Sequence, residues 1–267
     1  MKKKTRWPLY AILALVLTFF AFVVPLPYYI EVPGGAEDIR RVLKVNETED
    51  TEAGAYQFVT VGIRHATLSH LVYAWLTPFT DIRSAKETTG GSTDAEFMRI
   101  NQFYMQTSQN MAKYQGLKTA GKDIELKYLG VYVLTVTDNS TFKGILNIAD
   151  TVTAVNDKTF DSSKDLVDYV NSQQLGDTVK VTYEEDGKVK SAEGKIITLE
   201  NGKNGIGIGL IDRTEVTSDV PIRFSTAGIG GPSAGLMFSL AIYTQIADPG
   251  LRNGRIVAGT GTIDRDG

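Results

Sequence analysis

Ser233 is the residue with the clearest chemical potential in this chain. It stands in Thr226-Ala227-Gly228-Ile229-Gly230-Gly231-Pro232-Ser233-Ala234-Gly235-Leu236-Met237-Phe238. The glycines make a loop, and the fixed φ of Pro232 suits a helix start. An apolar helix is expected from Ser233 to about Ile246, stopped by Asp248-Pro249-Gly250. A serine there meets unpaired backbone N–H groups and the positive end of the helix dipole. Three uses fit that position. It can be a nucleophile beside an oxyanion hole, a phosphate-binding residue, or a plain helix cap. On pattern alone capping is the commonest of the three. No G-x-x-x-x-G-K-[ST] run occurs, so ATP use has no support.

A serine hydroxyl is a weak nucleophile until a base takes its proton. The chain offers few bases. His65 and His70 are the only histidines, and neither sits beside a recognisable partner, so structural or surface roles are expected. The last lysine is Lys203, which reads as a solvated loop residue. There are no cysteines, which excludes disulfides and thiolate metal sites. No metal or other cofactor is expected. A net charge of −3 leaves no dominant basic patch for nucleic acid.

The elements that must position Ser233 come next. The fold class is α+β. Tyr56 to Val61 alternates and is rich in β-formers, so it reads as a strand. Ser69 is placed to cap a short helix from His70 to Leu76, ended by Pro78. Gly90-Gly91-Ser92 is a loop. Thr93, with Glu96 three residues on, opens the clearest helix of the chain. Phe97, Ile100, Phe103 or Tyr104, Thr107, Met111 and Tyr114 recur along it at helical spacing, and Gly116 ends it. That stripe is core before it is a ligand site.

The N-terminus carries Lys2, Lys3, Lys4 and Arg6, then no charge until Glu31. An uncharged run of that length is expected to cross the ~30 Å hydrocarbon layer as a helix. The basic cluster then stays in the cytoplasm and the bulk lies outside the cell. The bulky Phe22-Val23-Val24-Pro25 end favours a retained anchor over a cleaved signal.

From about Glu125 to Leu199 a compact module is expected. Ile148 to Asp157 is a strand entering a turn. Ser162 and Ser163 can cap a helix from Lys164 to about Ser172, and Asp186-Gly187 makes a hairpin turn. Tyr128-Leu129-Gly130-Val131 and Ala149-Asp150-Thr151-Val152-Thr153-Ala154-Val155 resemble a PDZ domain, with Ala149 where that family usually has Gly. The resemblance implies that Leu129, Gly130 and Val131 form a loop holding a peptide's C-terminal carboxylate, with Leu166 to Val170 flanking the groove. A module that packs or gates without a ligand is the alternative.

Gly231-Pro232-Ser233-Ala234-Gly235 resembles the catalytic motif of Lon-like (S16-type) serine peptidases. Arg255 to Ile263 resembles that family's next strand, with Thr260 near the catalytic dyad and Thr262 where an acidic residue is usual. Anchor, PDZ module and peptidase segment in this order resemble the YlbL/SepM group of Gram-positive bacteria. The resemblance implies a Ser-Lys dyad in which burial keeps the Lys neutral. It implies Ser233 as nucleophile, Gly230, Gly231, Pro232 and Ala234 around the oxyanion, Thr260 in support, and secreted or membrane-bound peptides or proteins as substrates. The enzyme would work without ATP. The family's Lys follows the strand of Thr260, so its counterpart is expected beyond Gly267, in a longer chain. The expected organisation is an anchor over 1–30, an α/β segment packing with the peptidase domain over 31–124, the PDZ-like domain over 125–199, and the first part of a peptidase domain over 200–267. A tethered PDZ module without catalysis is the alternative function.

Overall fold

The computed structural model describes residues 6–267. In chain order the first elements are α1 (Trp7–Val23), β1 (Tyr28–Asp38), β2 (Leu43–Val45), β3 (Ala55–His65), α2 (Leu68–Leu76), β4 (Asp81–Ser84), α3 (Ala85–Thr89) and α4 (Asp94–Thr119). Then come β5 (Ile124–Val136), β6 (Thr151–Val155), α5 (Ser163–Asn171), β7 (Thr178–Glu185), β8 (Lys188–Lys195), β9 (Ile197–Thr198) and β10 (Asn204–Gly205). The last are β11 (Ile208–Ser218), β12 (Ile222–Phe224), α6 (Gly235–Ala247) and β13 (Ile256–Gly259). The chain divides into two units, residues 1–36 with 60–93, and residues 37–59 with 94–267.

In the first unit β1 pairs antiparallel with β4, from Tyr28↔Ser84 to Glu31↔Asp81. The cap of α2 is Thr67, not Ser69. The Thr67 N–H donates to His70 Nδ1 at 3.1 Å, so the helix starts two residues earlier than the sequence suggests and His70 has a structural task. His65 lies against Tyr29, ring centroids 4.4 Å apart.

α1 corrects the single-pass localisation. It has 17 residues, about 25 Å of helix, against the ~30 Å that a span needs. It stops at Val23 because Val24 precedes Pro25 and goes extended (φ −77, ψ 117). Among the described residues no helix is long and apolar enough to cross a membrane. The arrangement with a cytoplasmic N-terminus, a spanning helix and an extracellular bulk therefore does not hold. Lys2, Lys3 and Lys4 lie outside the described residues.

The second unit has two main cores. One lies under a five-stranded sheet of order β11-β5-β6-β7-β8, every pair antiparallel. Val131, Val133, Phe142, Val152, Leu166, Val170, Val179 and Val181 fill it. The alternation of β7, with Val179, Val181 and Tyr183 inward, puts one face on this core. β7 and β8 join through Asp186 and Gly187, both at positive φ (48 and 75), as a tight hairpin requires. Ala149 holds φ 84, which explains why a glycine suits that position better.

The other core joins Phe58, Leu117, Phe238, Ala241 and Ile242. Residues Ala55 to Phe58 of β3 pair here in parallel with Ile256 to Gly259 of β13. α4 packs on α6. A Cβ on Gly116 would lie 2.8 Å from Ile242 Cβ. Gly116 therefore serves helix contact, and α4 runs past it to Thr119 instead of ending there. A smaller cluster of Ile100, Tyr132 and Leu134, with Phe103, Tyr104 and Ile211 against it, ties α4 to β5 and β11.

Candidate peptide groove and candidate nucleophile

Leu129, Gly130 and Val131 lie inside β5 and do not form a loop. Val131 sits opposite Asp212 of β11 on one side and Val152 of β6 on the other. Leu129 is the extra residue where the register shifts between Arg213↔Gly130 and Thr214↔Tyr128. A side chain on Gly130 would overlap the Val152 carbonyl. The expected carboxylate loop is thus corrected: these residues sit mid-strand, with β11 and β6 on either side. Leu166 and Val170 point into the core, and Val167 alone of the three is substantially exposed (37%).

A loop with the required properties occurs elsewhere. Gly205-Ile206-Gly207-Ile208 leads into β11, which is the edge strand of the sheet. Ile206 is buried in the core, and its carbonyl accepts from Ser140 Oγ at 2.6 Å. The Gly207 carbonyl accepts from the Thr137 N–H at 2.8 Å. Gly207 has φ 74, and a Cβ there would lie 2.5 Å from Thr137 Oγ1 and 2.8 Å from Ser140 Cβ, so only glycine fits. With both carbonyls held inward, the N–H groups of Ile206 and Gly207 have no partner among the described residues.

α5 lies beside this edge. Its C-terminal end approaches the loop, where Asn204 Nδ2 donates to the Gln173 carbonyl at 2.8 Å. Its N-terminal end approaches mid-β11, where the Ser163 N–H donates to Asp212 Oδ1 at 3.2 Å. Unpaired N–H groups followed by an open strand edge next to a helix form a place where an extended peptide can add as a strand and leave its carboxylate on the loop. Burial, with Asp212 and Asp165 nearby, pushes the Tyr128 phenol above its ordinary value. The sequence carries this signal: the same x-apolar-Gly-apolar phrase occurs at 128–131 and at 205–208, and only sheet order separates them.

Ser233 lies at the other core. The helix begins at Gly235 with Ala234 as its N-cap and no side-chain cap bond. Ser233 is therefore not a cap. It is exposed, and its hydroxyl has no partner among the described residues. Its carbonyl accepts from the Gly261 N–H at 2.7 Å and from Thr260 Oγ1 at 3.4 Å. Leu236 N–H returns to the Gly261 carbonyl at 3.0 Å. The structure so brings Thr260 and Ser233 together. α4 holds the other side. Ser108 Oγ donates to the Pro232 carbonyl at 2.9 Å, and the Gly231 N–H donates to the Asn101 carbonyl at 2.8 Å. Gly230 is needed there because a Cβ would come 2.7 Å from Asn101 Cβ.

Gly231 has thus committed its N–H to α4, and Pro232 has none. Of the backbone donors expected around an oxyanion, Gly230 and Ala234 stay unpaired among the described residues, as does Ser233 itself, and those of Ser233 and Ala234 lie at the positive end of α6. No lysine or histidine bonds to Ser233 among the described residues. Burial lowers the pKa of Lys113, but its ammonium sits 5.7 Å from the Phe224 ring centre and lines a cavity with Leu117, Val216 and Ile222.

Comparison with protein families matches residues 102–196 to a PDZ domain family. The match starts within α4 and stops before the loop at 205–208. Comparison with curated proteins gives no match. Among solved structures, the PDZ domain of the SdrC-like protein from Listeria monocytogenes is 35% identical, over 33% of this chain and 93% of that one, with a TM-score of 0.31. The PDZ domain of the SdrC-like protein from Listeria innocua is 38% identical, over 30% of this chain and 92% of that one, with a TM-score of 0.29. A domain from Geobacillus thermodenitrificans is 32% identical, over 30% of this chain and 94% of that one, with a TM-score of 0.28. The family match shows that the chain carries a PDZ domain over residues 102–196.

Proposed function

We propose that the chain is part of an ATP-independent serine endopeptidase of the Lon-like kind, with Ser233 as nucleophile and the PDZ domain as its peptide-binding module. The observation that carries this reading is the exposed Ser233 hydroxyl, unbonded among the described residues, beside two backbone N–H groups that are likewise unpaired there. Attack by Ser233 Oγ on a peptide carbonyl, its proton passing to a base, would form an acyl-enzyme as the C–N bond breaks and the amine half leaves with that proton. The developing oxyanion would accept from the Ser233 and Ala234 N–H groups. Thr260 and Gly261 would keep the Ser233 backbone in place, and water would release the acyl product. In the peptidases that this chain resembles the base is a Lys, and no lysine bonds to Ser233 among the described residues.

A peptide-binding module without catalysis is the competing reading, and the lack of a base bonded to Ser233 among the described residues favours it. One experiment separates the two. Peptide cleavage is measured for the chain and for its Ser233→Ala variant. Loss of at least 1,000-fold in the variant is expected, from removal of the nucleophile. Equal cleavage by both removes Ser233 from the mechanism.

A further inference from the structure

α4 runs beside the outer edge of β11, the same edge that a peptide strand would use. Thr107 Oγ1 donates to the Asp212 carbonyl at 3.0 Å, and Asn110 Nδ2 donates to the Thr214 carbonyl at 2.7 Å. In a strand the N–H and C=O of alternate residues point to the same side. Ile208 and Leu210 therefore share the outward side with Asp212 and Thr214. No side chain caps the Ile208 or Leu210 carbonyl among the described residues. The edge is open over Ile208 to Ile211, and beyond it α4 holds the Asp212 and Thr214 carbonyls.

Asp212 is fixed from the other side as well, since its Oδ1 accepts the Ser163 N–H of α5 at 3.2 Å. α4 is itself well anchored against the sheet. Phe103 stacks on Tyr132 with centroids 4.2 Å apart and rings 16° from parallel. Tyr132 OH donates to Gln106 Oε1 at 3.3 Å. A ligand strand reaching Asp212 has to displace Thr107 and then Asn110.

We propose that α4 is a stop that limits the groove to about the last four residues of a peptide, one for each open position from Ile208 to Ile211, and that Thr107 and Asn110 set this limit. The inference rests on the peptide-groove reading. Residues of a ligand upstream of the fourth meet the Asp212 and Thr214 carbonyls already bonded to Thr107 and Asn110, so they add little pairing.

The test titrates the full chain with N-acetylated peptides of two, four, six and eight residues, alanine throughout except for a C-terminal Val-Leu with free carboxylate. The Thr107→Val/Asn110→Leu double variant and the Thr107→Val single variant are titrated alongside, with folding checked by thermal melting. In the unsubstituted chain affinity should rise from two to four residues and then stay within twofold. In the double variant the eight-residue peptide should bind at least fivefold more tightly than the four-residue one, with a smaller gain in the single variant. Affinity that keeps rising to eight residues in the unsubstituted chain overturns the stop, as does an unchanged plateau in the folded variants. Equal binding of C-terminal amides, or no saturable binding by any peptide, refutes the groove reading itself and the stop with it.

Discussion

Replacing Arg252 by Met should destabilise the chain by about 3–5 kcal/mol, because it strands a buried carboxylate. Arg252 Nη2 donates to Asp50 Oδ1 at 2.8 Å and Nη1 bonds the second oxygen. The two side chains are 1% and 4% exposed, and the guanidinium lies 5.5 Å from the Tyr56 ring centre. Water cannot take over when the cation is removed. Burial alone would raise the Asp50 carboxyl, but the Arg252 hydrogen bond, the Glu52 N–H and the charges of Arg252 and Arg40 outweigh it and hold it below its ordinary value. A depressed folded-state carboxyl adds stability that is complete above the unfolded value, about 3.9, and is lost as pH falls through the folded one. Urea unfolding at pH 7 and at steps down to pH 2.5 reads both effects. Arg252→Met should lose the 3–5 kcal/mol at pH 7 and show a flatter acid slope. Arg252→Met combined with Asp50→Leu should recover most of the loss, since an apolar pair leaves no orphaned charge. A loss under about 1 kcal/mol at pH 7, or acid slopes equal in both proteins, would refute the reasoning. The pair matters for the site because Arg252 opens the turn that feeds β13 and then Thr260 and Gly261, the residues that hold the Ser233 carbonyl.

Other outcomes follow from single positions. Ala149→Gly should stabilise by roughly 1 kcal/mol in urea unfolding, since Ala149 occupies the left-handed region at φ 84. Gly116→Val should cost about 1–3 kcal/mol by the same measurement, because its Cβ would press on Ile242 across the α4–α6 contact. Ser233→Ala should leave stability within about 0.5 kcal/mol, because the hydroxyl bonds nothing among the described residues; a loss near 1 kcal/mol would instead mark it as a cap. Gly207→Val should abolish retention of free-carboxylate peptides on the immobilised chain, while Gly130→Val, in mid-strand, should act through unfolding, visible as a lowered melting temperature.

The residue types and spacings of this chain determine much by themselves. Hairpin chemistry at Asp186-Gly187, the alternation of β7, the helical stripe of α4 and the glycine-rich approach to Ser233 are local patterns, and local sterics and burial are enough to read them. The PDZ domain was legible for the same reason, as its strand and helix order is a local matter. What sequence could not decide is which of two equivalent phrases faces open space. Leu129-Gly130-Val131 and Ile206-Gly207-Ile208 carry the same chemistry, yet β11 pairs with the first along β5 and leaves the second at a sheet edge. Only the pairing of strands some 80 residues apart settles that. Gly116 shows the same limit: it reads as a helix end in one dimension and is a helix contact in three. The length of α1 was set by a local rule at Val24-Pro25 that an uncharged run conceals. Ser233 lies between these cases. Its sequence placed it at the head of a helix, where capping was the commonest fate. The tertiary structure moved the cap to Ala234, set Gly261 and Thr260 on the Ser233 carbonyl and bound Pro232 and Gly231 to Ser108 and Asn101, so that the Ser233 hydroxyl stays exposed and, among the described residues, unbonded.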